Sequence, residues 1–236
     1  MSQLLEKRAL MLEVHLASRG ITDAAVLDAF RTVPREVFVP SELRELAYDD
    51  KPLPIGDGQT ISQPYIVALT VIALELEPSD RVLEIGTGSG YAAAILARVA
   101  KLVFTVERIA GLARTAEQRL ADAGFDNVQV LAADGSLGWP EHAPYDAIAV
   151  AAGGPRVPPA LKQQLKLGGR LVMPVGKDEA TQMLVRVTRI GESEYREEPL
   201  SAVRFVPLIG AQGFADPAGT VSAMPAMGSP GATSRP

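Results

Sequence analysis

The 236-residue chain contains no cysteine. That excludes disulfides, thiolate metal sites and cysteine nucleophiles, and it fits a reducing compartment. Histidine is almost as scarce: His15 and His142 are the only two, and they lie far apart. A His-rich metal centre and a Ser-His-Asp triad are therefore disfavoured, and no metal site is expected. No apolar run approaches the ~20 residues that a membrane-spanning helix needs. The N-terminal stretch Met1–Arg8 carries Glu6, Lys7 and Arg8 where a secretory signal needs apolar residues. A cytoplasmic location is expected, with no membrane partner. The formal charge is −5, from 23 basic and 28 acidic side chains, so the basic excess of a nucleic-acid binder is missing and no such partner is expected. There is no G-x-x-x-x-G-K-[ST] run, which disfavours a P-loop.

What is present is ordinary for a globular chain: 47% apolar and 22% charged residues. The length suits one domain, taken as residues 1–213. The chain is organised around Arg81-Val-Leu-Glu-Ile-Gly-Thr-Gly-Ser-Gly-Tyr91, an apolar run, a glycine turn and then the Ala-rich segment 92–100. This reads as strand, tight loop and helix, the ligand-facing corner of an α/β sheet. Further apolar runs at Leu102–Glu107, Val128–Ala132, Tyr145–Ala151 and Arg170–Val175 alternate with helical segments, ending with one that Gly168-Gly169 closes. The rhythm implies right-handed βαβ units and a doubly wound, Rossmann-like parallel sheet. Gln182–Ile190 and Pro199–Pro207 follow without a helix between them and read as an antiparallel pair at the sheet edge.

Upstream, residues 2–19 show helical spacing, with Gly20 at the stop; Thr22 is read as the cap of a second helix and Ser41 of a third. Lys7-Arg8 reads as a solvated helix face, and His142 as a solvated loop residue. Trp139 reads as packing at a loop base. Residues 49–63 form a long irregular loop, either facing a ligand or serving as a connector; the two readings weigh equally. Residues 214–236 are rich in Pro, Gly and Ala, with only Asp216 and Arg235 charged, and are expected to be a disordered tail.

Three acids end successive strands near the glycine loop: Glu84, Glu107 and Asp134. Any one of them alone is as readily a helix cap or a solvated end. Together with the loop they suggest a crevice at the carboxyl ends of the strands, where an acid can accept from ribose hydroxyls. The acid just before the loop suits an ammonium or sulfonium better than a pyrophosphate. S-adenosyl-L-methionine is thus favoured over NAD.

The residues Val33-Pro-Arg-Glu-Val-Phe-Val-Pro40, Asp57-Gly-Gln-Thr-Ile-Ser-Gln-Pro64, Val82–Tyr91, Val106-Glu-Arg-Ile109, Asp134-Gly135, Leu165–Leu171 and Arg204-Phe-Val-Pro-Leu208 carry a resemblance. Together they make the chain similar to the bacterial protein-L-isoaspartate O-methyltransferases. The glycine motif is widespread among methyltransferases; the loop through Ser62 and the Phe205–Leu208 segment are far more specific. The resemblance implies an S-adenosyl-L-methionine-dependent fold with N-terminal helices and an antiparallel C-terminal hairpin. It implies methyl transfer to the free carboxylate of L-isoaspartyl residues in damaged proteins and peptides, with a monomer expected.

By the same resemblance Ser62 contacts the reacting carboxylate. From the residues alone, a helix cap is the preferred reading of Ser62. The resemblance further places Thr60 and Ile61 on the cofactor side of the loop. Glu84, Gly86 and Gly88 would meet the methionine end, Glu107 the ribose, and Asp134 with Gly135 the adenine. Gln182 falls near the cofactor, and Val206 and Leu208 in the peptide groove. The run Ala151-Ala-Gly-Gly154 departs mildly from the family pattern.

Overall fold

The computed structural model describes residues 3–178 and 180–216. The first helical stretch is α1 (Gln3–Leu10), then a π-helical turn over Met11–Leu16 and a 3-10 turn over Ala17–Arg19. It stops at Gly20, whose φ of 90° is the left-handed conformation that glycine adopts cheaply. Lys7 and Arg8 are not merely solvated: Lys7 bonds Glu45, and Arg8 bonds Glu36 and the Tyr48 hydroxyl, fastening α1 to the segment that follows α2.

Helix α2 (Ala24–Thr32) is capped by Asp23 rather than Thr22; the Asp23 carboxylate accepts from Val26 N at 2.9 Å. Ser41 does not act as a cap either. The 3-10 turn Ser41–Leu46 is entered from Pro40, and the Ser41 hydroxyl donates to Glu42.

The expected irregular loop contains a small hairpin, β1 (Leu53–Gly56) against β2 (Gln59–Ile61). Asp57 and Gly58 make its turn, both at positive φ (50° and 68°), the arrangement of a two-residue type I′ connection. Leu53 and Ile61 are paired and buried, so the hairpin is pinned to the body by its apolar base. Helix α3 (Pro64–Leu74) starts with proline at its first position, where no N–H is needed, and stops at Glu75.

The sheet follows: β3 (Arg81–Ile85), α4 (Tyr91–Val99), β4 (Leu102–Glu107), α5 (Ala110–Asp122), β5 (Val128–Ala132), β6 (Tyr145–Val150), α6 (Pro159–Gln163), β7 (Leu165–Val175), β8 (Gln182–Arg189) and β9 (Tyr195–Val203). Strand order is β5-β4-β3-β6-β7-β8-β9. The first five of these strands run parallel, and β8 and β9 return antiparallel at the edge. Order reverses at β3, so crossovers leave in opposite directions and open a crevice beyond its carboxyl end.

Two strands differ from expectation by several residues. Strand β7 begins at Leu165, running through Gly168 and Gly169 instead of starting after them. At Gly169 the chain passes so close to β6 that a Cβ would stand 3.0 Å from the Asp146 carbonyl oxygen. Strand β9 begins at Tyr195, and residues 204–207 have already left the sheet for the crevice.

The sheet is covered on both faces. One core packs α1–α4 on it through Phe30, Phe38, Leu74, Tyr91 and Ile95; the other gathers Leu83, Phe104, Tyr145, Ile148 and Leu161. His142 belongs to the second layer, not to solvent: its ring stacks on Phe104 at 4.2 Å and meets Trp139 edge-on at 4.7 Å.

The Asp23 cap satisfies an N–H that nothing else in α2 can satisfy. Asp23→Ala should therefore cost about 0.5–2 kcal/mol of stability, read as a lower urea midpoint with an unchanged slope.

Candidate functional site

The carboxyl end of β3 passes into Gly86-Thr87-Gly88-Ser89-Gly90. Its three glycines all sit at positive φ (91°, 53° and 92°), which a side chain would strain. Gly86 N donates to Val106 O at 2.8 Å, keeping the loop against β4. The last residue of β4, Glu107, fixes it further. One carboxylate oxygen accepts from Gly88 N and the other from Ile109 N, each at 2.9 Å. Each oxygen keeps a second lone pair for another donor.

Beneath the loop lies a buried relay. The Thr87 hydroxyl meets that of Thr105 at 2.6 Å, and Thr105 donates to Glu84 Oε2 at 2.6 Å. The other oxygen of Glu84 has no partner. Sequence reasoning treats Glu84 as a negative charge facing the ligand, and the structure corrects this. Glu84 is 1% exposed, and loss of hydration pushes its pKa up to about 8; nearby Glu107 adds to the rise, and the Thr105 bond opposes it. The group is mostly neutral at pH 7. It borders a small cavity of about 30 Å³ behind the main cleft, between β3, α3 and α4.

The main cleft, about 260 Å³, is lined by Thr60, Ile61, Ser62, Gly86, Gly88 and Glu107, and also by Gly135, Val206 and Leu208. The hairpin leans directly on the glycine loop: a Cβ on Gly88 would stand 3.2 Å from Ile55 Cδ1. Gly135 is equally constrained, since a Cβ there would come within 2.5 Å of Ile85 Cγ2. A second groove of about 590 Å³ continues from the cleft past Pro52, Gln63, Ile66, Arg204 and Phe205. Ser62 and Ala151 border the cleft, the groove and the small cavity. Ser62 does not cap α3: Gln63 occupies that position, and the Ser62 hydroxyl bonds nothing among the described residues.

Besides Glu84, two residues of the expected cofactor set do not line the cleft. Asp134 does not line the cleft; its carboxylate accepts from Ser136 N, Ser136 Oγ and Ala211 N, which hold the loop after β5. Gln182 is buried against Gly153. Its amide brackets the Phe205 backbone, accepting from Phe205 N at 2.7 Å and donating to Phe205 O at 3.1 Å. It thus shapes the groove from behind. Leu208 walls the cleft and not the groove, whereas Val206 borders both.

Sequence reasoning also misses part of the wall. Phe214 N donates to Leu208 O at 2.7 Å, and Asp216 reaches Arg108 at 3.5 Å and borders the cleft. The first residues of the expected tail are therefore folded back over the site. The remainder, 217–236, lies outside the described residues. Among the described residues no group of His, Asp or Glu could hold a metal ion, and no helix is long and apolar enough to cross a membrane.

The family described as protein-L-isoaspartate(D-aspartate) O-methyltransferase matches this chain over residues 6–213. The chain belongs to this family. Protein-L-isoaspartate O-methyltransferase 1 of Geotalea uraniireducens (strain Rf4) is 61% identical over 211 residues, covering 89% of this chain and 96% of the relative. A solved protein-L-isoaspartate O-methyltransferase superposes with a TM-score of 0.79 at 32% identity, covering 87% of this chain and 67% of the other. A Plasmodium falciparum protein described by the same activity, solved in complex with S-adenosyl-L-homocysteine, gives a TM-score of 0.74 at 26% identity, covering 86% and 97%. The fold is thus that of an S-adenosyl-L-methionine-dependent methyltransferase.

The cleft fits such a cofactor. Glu107 offers two acceptor oxygens for a vicinal diol, and the glycines Gly86, Gly88 and Gly135 border the same cleft.

The raised pKa of Glu84 makes a signed prediction. Unfolding exposes the carboxyl, which then ionises near 4.5, whereas the folded group holds its proton to about 8. The stability it contributes is full below pH 4.5 and is lost as pH rises to 8. Glu84→Gln should gain on the wild type by up to ~1.4 kcal/mol per pH unit across that window. Denaturant melts at several pH values measure it; a flat difference would mean that the carboxyl is ionised in the fold.

Proposed function

We propose that this chain is a protein repair enzyme that moves a methyl group from S-adenosyl-L-methionine to the free carboxylate of L-isoaspartyl residues in damaged proteins. One observation carries the assignment of roles. Ser62, with its hydroxyl uncommitted, borders both the cofactor cleft and the open groove beside it.

Residues Thr60, Ile61, Gly86, Gly88, Glu107 and Gly135 hold the cofactor, Glu107 through the ribose hydroxyls. When bound, the cofactor supplies a methyl group on a sulfonium, an already activated leaving group. The acceptor needs little activation either. A carboxylate is ionised at pH 7, so no general base has to remove a proton. This matches a cleft without histidine or cysteine.

The chain's own task is alignment. Ser62 donates a hydrogen bond to one carboxylate oxygen and leaves the other to face the methyl. Val206 carries the peptide past it, and the walls exclude water. Holding two reactants in register is worth up to ~7–11 kcal/mol, enough to carry most of such a reaction. The ester product closes to a succinimide away from the enzyme, and hydrolysis returns part of it as normal aspartate.

The groove suits a peptide better than a compact small molecule, because it runs on past the cleft along residues 202–206. The reading also takes residues 1–213 as one methyltransferase domain acting as a cytoplasmic monomer, without nucleic-acid or membrane partners. The absence of cysteine and the acidic balance support that setting.

Radiolabelled methyl transfer to an isoaspartyl peptide and to its aspartyl twin tests the proposal. Labelling of the isoaspartyl peptide alone is expected. Equal labelling, or labelling only of an unrelated carboxylate, would replace it with a broader carboxyl methyltransferase. Ser62→Ala should lower kcat by about 10–100-fold while S-adenosyl-L-homocysteine binding stays within about threefold. An unchanged kcat removes Ser62 from the reaction.

A further inference from the structure

Arg35 is the largest fully buried side chain among the described residues, with no exposed surface. Its guanidinium forms no ion pair among the described residues. It donates instead to two backbone carbonyls, Nε to Ala47 O and Nη2 to Ser62 O, both at 2.7 Å. Its guanidinium carbon lies over the ring of Tyr91, 4.6 Å from the centroid. Tyr91 opens α4 directly after the glycine loop and lines the cofactor cleft. One cation therefore touches both halves of the site.

A buried cation without a carboxylate is costly, and an apolar side chain of similar volume would fill the space at lower cost. What arginine adds is a rigid plane with donors at fixed spacing, set against an aromatic face. Neighbouring anchors do not replace it. Asp50 holds Gln63 Nε2 at 2.6 Å and Tyr65 N at 3.3 Å, and so governs the entry to α3. The Ser62 carbonyl is left to Arg35.

We infer that Arg35 is a positioning residue for methyl transfer: it fixes the Ser62 peptide against Tyr91, and so sets the Ser62 hydroxyl relative to the glycine loop. This rests on the role given to Ser62 above. The residue touches neither substrate nor cofactor and acts through the peptide it holds.

The test uses the full chain with Arg35→Lys and Arg35→Met. Lysine keeps the charge but reaches one carbonyl at a time, and methionine keeps only volume. Both should bind S-adenosyl-L-homocysteine within about threefold of wild type, while kcat on an isoaspartyl peptide falls about tenfold for Lys and further for Met. Amide exchange over residues 61–63 should quicken by about tenfold, with α4 unchanged. In a Ser62→Ala background Arg35→Lys should cost no more than about twofold, because both changes remove the same contact.

A wild-type kcat in Arg35→Lys overturns the inference, as does full additivity with Ser62→Ala. If Arg35→Met fails to fold, the lysine variant and the double mutant decide. If the wild type methylates no isoaspartyl peptide, the functional reading fails by itself, and amide exchange over residues 61–63 alone then judges the clamp: unchanged exchange overturns it.

Discussion

The carboxylate of Glu107 is the contact on which the site depends. It ends one strand, yet its two oxygens are bonded to amides of two different loops, Gly88 on one side and Ile109 on the other. A parallel sheet that reverses its order at β3 leaves a gap there, and loops bordering a gap have few neighbours to hold them. On one side of that gap Glu107 ties the loop after β3 to the loop after β4 with charge-assisted hydrogen bonds, roughly twice as strong as neutral ones. The glycine loop is thereby set before any ligand arrives, and the hairpin residue Ile55 can rest against Gly88. The same oxygens that order the loop remain able to accept from a diol. The structural role and the ligand-holding role proposed for Glu107 fall on one side chain.

The contrast with Glu84 shows how environment separates two acids close together in the same sheet. Glu84 lies in the central strand, on the face covered by α3 and α4, where hydration is lost and one threonine hydroxyl is the only donor. It keeps its proton and completes a relay through Thr105 to Thr87, stiffening the loop from below. The cation-attracting role that its sequence position suggests does not follow. An acid inside an otherwise apolar central strand is a signal of burial before it is a signal of charge.

Much of the sheet was legible because its strands are buried on both faces and so read as continuous apolar runs. Strand β4, buried along nearly its whole length, has the bounds its sequence suggests, and so does the half-exposed edge strand β5. Strand β9 does not, because an edge strand with Arg196 and Glu197 exposed and Glu198 paired with Arg186 has no apolar run to announce it. The β1–β2 hairpin carried a usable signal in Asp57-Gly58, obscured by the prolines around it. Among the site residues, the glycine loop and Glu107 follow from local pattern, since a loop that must approach a ligand needs glycine. Asp134 and Gln182 were less legible. Their side chains are consumed by Ala211 and Phe205, backbone partners distant in sequence that no local pattern reveals. The part of the wall at Asp216, on a segment tied down through Phe214 N to Leu208 O, is hidden for the same reason, within a stretch whose composition reads as unstructured.

Ser62 follows neither rule. By local pattern it is a helix cap, and only its surroundings free it from that task. Proline at the first position of α3 removes one N–H that a cap would serve, and Gln63 takes the capping position. The Ser62 carbonyl is drawn inward by Arg35, so the peptide is anchored through its backbone while the hydroxyl stays unbonded. A hydroxyl is a modest group, unable to act as a strong base, but the reaction does not call for one. Its acceptor is already an anion, and its donor already carries a leaving group. What limits such a transfer is the distance and angle between two partners that enter from different cavities. In the role proposed for Ser62, a neutral donor at the junction, carried on a backbone held from behind by a buried cation, sets both.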